Sequence, residues 1–449
     1  MIRTKVTGTL TLAGFAPAGK PGYANRHNCR ESRSRSTRCP QRSGLLWLAC
    51  ALVALGITPA QAQTTYPKGS GPGAGVIRDS AGNLYGTTSG GGTVDMGVVY
   101  KVDTTGHERV LHTFTGPDGD EPFAGVIADS DGNLYGTTVG GGTGNAGVVF
   151  QVDTAGQETV LYNFTGGADG SWPNAVIRDP AGNLYGSTVY GGTANAGVVF
   201  KLDAAGKYTV LYTFTGGADG NEPNAVTRDS AGNLYGTTYQ GGTAGFGVVF
   251  KLEPARQAPW PETVLYTFTG GADGGEPLEE YGALIQDSAG NLYGTTYQGG
   301  TANVGVVFKL EPASQAPWPE TVMYSFTGGA DGGYPGAGVI REPSGNLYGT
   351  TEFGGDLSCG QGSGSGCGVV FKVSPTGQET VLYTFTGGAD GAVPLAGVIR
   401  DSAGNLYGTT YEGGLGCALG CGVVFKLEPA SQAPWPETVL YSFPAENNK

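Results

Sequence analysis

The chain has 449 residues, 83 of them glycine, and only 14% are charged; no stretch sustains an apolar period of 3.6, which excludes a helical bundle or coiled coil. Nine of the 25 Lys and Arg but only one acidic residue, Glu31, fall before position 63, so residues 63–449 hold 16 basic and 37 acidic residues, a formal net charge of −21. A surface of that sign repels phosphate backbones and excludes nucleic acid as a partner.

Residues 1–40 are rich in Arg and Ser and stand outside the fold. Residues 44–57 (GLLWLACALVALGI) form an apolar run with Arg38 and Arg42 ahead of it and Ala60, Gln61 and Ala62 behind it. That is the basic, apolar and small-residue order of a signal peptide, with cleavage expected after Ala62. The run is too short to span a bilayer comfortably. A secreted or periplasmic bacterial protein with no stable membrane insertion is therefore expected. Residues 1–62 read as extension and signal peptide, 63–73 as a short leader, 74–444 as the folded body and 445–449 as a tail. In the leader, Gly69 to Pro72 resembles a clipped version of the loop between repeats, and Thr64, Thr65 and Tyr66 are placed to latch a seam.

From there the chain repeats. The string GNLYGTT starts at Gly82, Gly132, Gly182 (with Ser187 for one Thr), Gly232, Gly290, Gly345 and Gly404, at spacings of 50, 50, 50, 58, 55 and 59 residues. Each copy holds four β-rich runs of five to seven residues separated by Gly, Pro, Asp and Asn, with starts near Gly75, Asn83, Gly97 and Arg109 in the first. Four short strands per period of about 50 residues are the plan of a propeller blade. The apolar third run, GVVFKL, suits a sheet buried on both faces. A parallel β-helix has shorter coils and no need of four turn signals per period. The fold class expected is all-β: a seven-bladed β-propeller with four antiparallel strands per blade.

Asp79 and its counterparts Asp129, Asp179, Asp229, Asp287, Glu342 and Asp401 read as hairpin turns whose carboxylates accept backbone N–H groups. Beyond position 63 there are two histidines, His107 and His112, both in the first copy. They form neither a metal set nor a serine triad, so no metal site and no catalytic residue is expected, and His112, at a position that is Tyr in the other six copies, reads as a strand residue. Four cysteines, Cys359, Cys367, Cys417 and Cys421, lie in the loops between strands two and three of the last two copies. Three disulfide connectivities are open. Proximity favours Cys359 with Cys367 and Cys417 with Cys421, and a Cys367 to Cys417 staple is the alternative. Zinc held by four thiolates without His is not expected.

If the first strand is innermost, the loops between strands two and three and the loops between blades emerge on one face. The first set brings Tyr190, Tyr239, Gln240, Tyr297, Gln298, Phe353 and Tyr411; the second brings Trp172, Glu222, Glu276 and Tyr334. Rings beside carboxylates and amides suit sugars or peptides, though they also suit covering a glycine-rich loop. Calcium is the cation the repeated Asp-Gly loops would attract, but each supplies one or two carboxylates where six to eight oxygens are wanted, so no cofactor is expected. Trp260, Trp318 and Trp435, in APWP hairpins, project from the opposite face and are expected to pack back on the blades.

The combination of GNLYGTT, GVVFKL and ETVLYTF resembles the bacterial GloVer tandem repeat over about residues 74–443, and the VIRDSAGNLY order is more loosely similar to NHL propellers. The first resemblance implies an exported or surface protein and supplies no activity. The expectation is a monomeric, non-catalytic binding or adhesion module for an extracellular glycan or protein ligand. The alternative is an extracytoplasmic hydrolase or lyase with an acidic site at the channel.

Overall fold

A computed structural model describes residues 68–278, 283–359, 365–415 and 421–444. The apolar run, the Ala62 cleavage site, Thr64 to Tyr66, Cys417 and the tail lie outside the described residues. Every regular element described is a strand, and seven antiparallel four-stranded meanders form the blades of a β-propeller. Blade two shows the plan: Ile127–Ala128, Leu134–Thr138, Val148–Val152 and Glu158–Asn163, side by side in chain order. No helix of the described residues is long and apolar enough to cross a membrane.

The innermost strand is only two residues long, shorter than the sequence pattern suggests. Its preceding segment is made of Gly and Ala because neighbouring blades meet there. A Cβ at Gly125 would lie 3.2 Å from the carbonyl of Gly75 in the blade before. The carbonyls of this segment turn to the adjacent blade instead of a ladder. Thr87 Oγ1 donates to Ala124 O at 3.0 Å, Thr295 Oγ1 to Ala337 O at 2.8 Å and Thr350 Oγ1 to Ala396 O at 2.9 Å. Thr409 Oγ1 donates to Ala74 O at 2.8 Å, which joins blade seven to blade one.

The core is a set of seven layers, each shared by two neighbouring blades. An aromatic edge contact runs through each: Phe114 meets Phe150 at 5.1 Å, Phe214 meets Phe250 at 5.1 Å, and at the seam Phe443 meets Tyr100 at 5.1 Å. These rings are fully buried, each burial stabilising by about 1.5–3 kcal/mol. The Gly of GNLYGTT makes room for them, since a Cβ at Gly136 would stand 2.6 Å from the Phe150 ring.

The six Asp turns are structural, as their spacing suggests, while Glu342 takes side-chain donors instead, the Ser344 hydroxyl at 2.6 Å and the Asn346 amide, and pairs with Arg400 at 3.2 Å. Asp79 accepts Asn83 N at 2.8 Å, Asn83 Nδ2 at 2.7 Å and Tyr85 Oη at 3.0 Å, and these bonds hold its carboxyl below the usual range although burial opposes them. Tyr185, a counterpart of Tyr85, lies between Lys201 of its own blade and Arg228 of the next, each 5.7 Å from the ring centre. The APWP tryptophans do pack back, but onto the preceding blade: Trp260 N donates to Leu211 O at 2.7 Å and its ring lies 6.4 Å from Tyr185.

Candidate functional site

One face gathers the loops between blades and the ends of the second strands. The residue before each inter-blade Pro hangs on the preceding blade. Trp172 N donates to Ala146 O at 3.2 Å, Glu276 N to Phe246 O at 2.8 Å and Tyr334 N to Val304 O at 2.7 Å. The Pro that follows seats on a glycine of that same blade, and a Cβ at Gly147 would be 2.7 Å from Pro173 Cδ. Pinned from both sides, these residues adopt left-handed backbone, with φ of 55° at Glu121, 57° at Trp172, 56° at Glu222, 52° at Glu276, 59° at Tyr334 and 54° at Val393. At the seam the same place is Gly71, with φ 63°. Left-handed backbone is unfavourable for residues with a Cβ, and most so for bulky or β-branched ones.

The predicted site residues come together in groups. Trp172 and Tyr190 meet edge to face at 5.4 Å. Tyr239 Oη donates to Glu276 Oε2 at 2.9 Å, and Gln298 Nε2 donates to the same oxygen at 2.7 Å. Tyr297 lies 5.1 Å from Tyr334, which lies 5.9 Å from Phe353. Glu222 and Gln240 belong to one blade, on strands paired through Asn221 with Gln240 and Pro223 with Thr238. Tyr411 faces Gly71, where a Cβ would be 3.2 Å from its ring.

Two registers are mixed in the predicted aromatic set. Tyr239, Tyr297 and Tyr411 share a register with Val189 and Glu352, whereas Tyr190 and Phe353 stand one residue later with Gln240 and Gln298. Side chains alternate along a strand: Val189, Tyr239, Tyr297 and Glu352 are buried, while Tyr190, Gln298 and Phe353 are half-buried and Gln240 is exposed. Glu352 is therefore a member of the site that residue type alone concealed. Its Oε2 accepts the Tyr297 hydroxyl at 3.1 Å, and burial first, then the Glu352 charge, pushes that phenol far up. Aligning the seven copies column by column would have found it.

Cys359 and Cys367 are joined in a disulfide within blade six, which removes the Cys367 to Cys417 staple. Cys421 is also disulfide-bonded. The Asp-Gly loops tie their own carboxylates: Asp219 accepts Thr215 N at 2.8 Å and the Tyr212 hydroxyl at 3.1 Å. His112 does not stand alone, for it meets Asp118 and, from blade two, Glu158.

The model of the Gloeobacter/Verrucomicrobia repeat matches residues 55–227 and 216–414, well over half the sequence. The chain belongs to that repeat family. No curated protein matches. Among solved structures it is similar to a puromycin hydrolase mutant (9% identity, TM-score 0.50, covering 84% of this chain and 54% of that one). It is also similar to a putative 6-phosphogluconolactonase from Bacteroides uniformis (14%, TM-score 0.49, covering 83% and 94%). A third is PorZ, a surface component of the type-IX secretion system of Porphyromonas gingivalis (14%, TM-score 0.45, covering 74% and 44%). At these identities the likeness extends to the fold alone.

Proposed function

We propose that the chain is an exported, non-catalytic binding module whose inter-blade face takes an extracellular glycan or peptide. The observation that carries the reading is the left-handed backbone at Glu121, Trp172, Glu222, Glu276, Tyr334 and Val393. Gly71 at the seam shows that glycine serves there without strain, yet the other six copies carry side chains, each at a cost of order 1 kcal/mol or more. Three of those side chains are Glu and the others are Trp, Tyr and Val, while the backbone beneath them is the same. Strain kept at a position of varied chemistry fits recognition better than it fits stability. The neighbouring Tyr190, Gln240, Gln298 and Phe353 add rings and amides to the same face, as a polar, extended ligand requires. The Cys359 to Cys367 disulfide agrees with an oxidising compartment.

A glycan array and a peptide library, probed with the exported chain and with Trp172→Gly and Tyr334→Gly, test the reading. Binding should fall at least about tenfold in one or both variants while the unfolding midpoint stays level or rises. Binding indifferent to both substitutions would end it. So would a hydrolase screen that finds turnover abolished by a single acidic substitution, which is the outcome the enzyme alternative requires.

A further inference from the structure

The outer edge of four blade interfaces carries the same trio. Between blades three and four, Tyr212 Oη donates to Asp219 Oδ2 at 3.1 Å, and Glu262 of the next blade stands beside them with Oε1 buried and without a hydrogen-bond partner among the described residues. Tyr266, Asp273 and Glu320 repeat the arrangement, as do Tyr324, Asp331 and Glu379, and Tyr383, Asp390 and Glu437. Tyrosine offers the two acids one hydroxyl proton and nothing more.

Between blades one and two the trio changes. His112 replaces the tyrosine, and its Nε2 lies 3.0 Å from Asp118 Oδ2. The loop beneath is one residue shorter, TGPDG where the later copies read TGGADG. Asp118 Oδ1 is fixed by the N–H of Thr115 at 2.8 Å and its hydroxyl at 2.9 Å, so Oδ2 is presented to the imidazole. Glu158 enters from blade two with Oε1 buried and without a hydrogen-bond partner among the described residues. One ligand atom from each of the three residues lies within 4.8 Å of the other two. Ligands about 2.0–2.2 Å from one cation stand roughly 3–3.6 Å apart, so modest side-chain rotation completes the set.

We propose that His112, Asp118 and Glu158 bind one divalent transition-metal cation, zinc foremost, through His112 Nε2 and one oxygen of each carboxylate. The imidazole selects zinc and its neighbours in the series over calcium or magnesium, which prefer all-oxygen sites. The side chains of His112 and Asp118 keep 16% and 20% of their surface, enough to admit an ion and leave a position for water. Because the ligands come from two blades, the ion would tie blade one to blade two.

The test uses the metal-stripped exported chain, zinc chloride in a calorimeter, and cobalt(II) as a spectroscopic stand-in. His112→Tyr restores the residue of the other six copies and Glu158→Tyr installs the one at Tyr208, so neither substitution introduces a residue foreign to the fold. One zinc per chain should bind with a dissociation constant of about 10 µM or tighter, weakening at least about tenfold in either variant. Zinc should also raise the thermal midpoint of the parent chain and leave that of His112→Tyr where it was. Equal binding by parent and both variants, or no binding below about 100 µM, overturns the proposal.

Discussion

The interface between blades five and six and the seam between blades seven and one are assembled from the same parts, although the chain runs through only the first. Phe326 meets Phe371 at 5.1 Å and Phe443 meets Tyr100 at 5.1 Å; Thr295 reaches Ala337 and Thr409 reaches Ala74, both at 2.8 Å. Arg341 lies over Tyr293 at 5.6 Å, and Arg78 over Tyr407 at 5.4 Å. The differences lie at the edges. Tyr324 donates to Asp331 at 2.9 Å, whereas the Tyr441 hydroxyl donates to Glu108 at a longer 3.4 Å. Tyr334 is held left-handed where the seam has Gly71. Ring closure thus rests on contacts that every blade repeats, and the continuous interfaces carry side chains on left-handed backbone where the seam carries glycine.

The comparison breaks most sharply at the aromatic pair. Phe326→Ala and Phe443→Ala each remove a fully buried ring and should each cost roughly 3–5 kcal/mol. Denaturant unfolding should give two losses that agree within about 1 kcal/mol, because covalent continuity enters only through the entropy of joining the ends. A Phe443→Ala chain as stable as its parent would mean that the ring is not closed through this contact.

A smaller effect separates the two regions by pH. Burial first, then the Asp331 charge, pushes Glu379 up to about 7, and Glu158, Glu262, Glu320 and Glu437 are likewise pushed to about 7 by burial and a neighbouring Asp. Glu108 at the seam is raised by burial as well, but Lys68 and the Tyr441 hydroxyl pull it back. Between the ordinary value of 4.5 and about 7 the folded chain holds protons that the unfolded chain has released. Their contribution to stability is therefore complete below 4.5 and lost as pH rises through about 7. The urea midpoint should be higher at pH 5 than at pH 8. Glu379→Gln, neutral throughout, should raise the pH 8 value and flatten the profile more than Glu108→Gln does. A midpoint that climbs from pH 5 to pH 8 contradicts this.

The blades were legible because seven copies of GNLYGTT count them, and the acidic turns because Asp, Gly and Asn recur at fixed offsets within one hairpin. Contacts between copies were not. Trp260 packs on the blade before its own, a relation no single hairpin encodes. His112 is an ordinary strand substitution within its own copy and becomes a candidate ligand only beside Glu158 of the next. The left-handed residues were equally hidden, since a residue before Pro ordinarily reads as extended; only the pull of the preceding blade on its N–H changes that.

The smallest effect sits inside the seam itself. Six blades place Phe150, Phe200, Phe250, Phe308, Phe371 or Phe425 at the centre of the third strand, and blade one places Tyr100. Tyr100 is wholly buried, its hydroxyl has no hydrogen-bond partner among the described residues, and burial drives its pKa far upward. An unsatisfied buried hydroxyl costs about 1–3 kcal/mol, while the ring itself packs on Phe443 as a phenylalanine would. Tyr100→Phe removes the oxygen and opens a gap no larger than one atom, which returns part of that gain. The net expectation is a stabilisation of about 1 kcal/mol, read as a higher urea midpoint with an unchanged slope. The same Tyr for Phe exchange made in reverse at Phe371, between blades five and six, should destabilise by a similar amount. If Tyr100→Phe instead lowers the midpoint, the hydroxyl is satisfied by a buried water, and the seam is better fitted than its bare contacts imply.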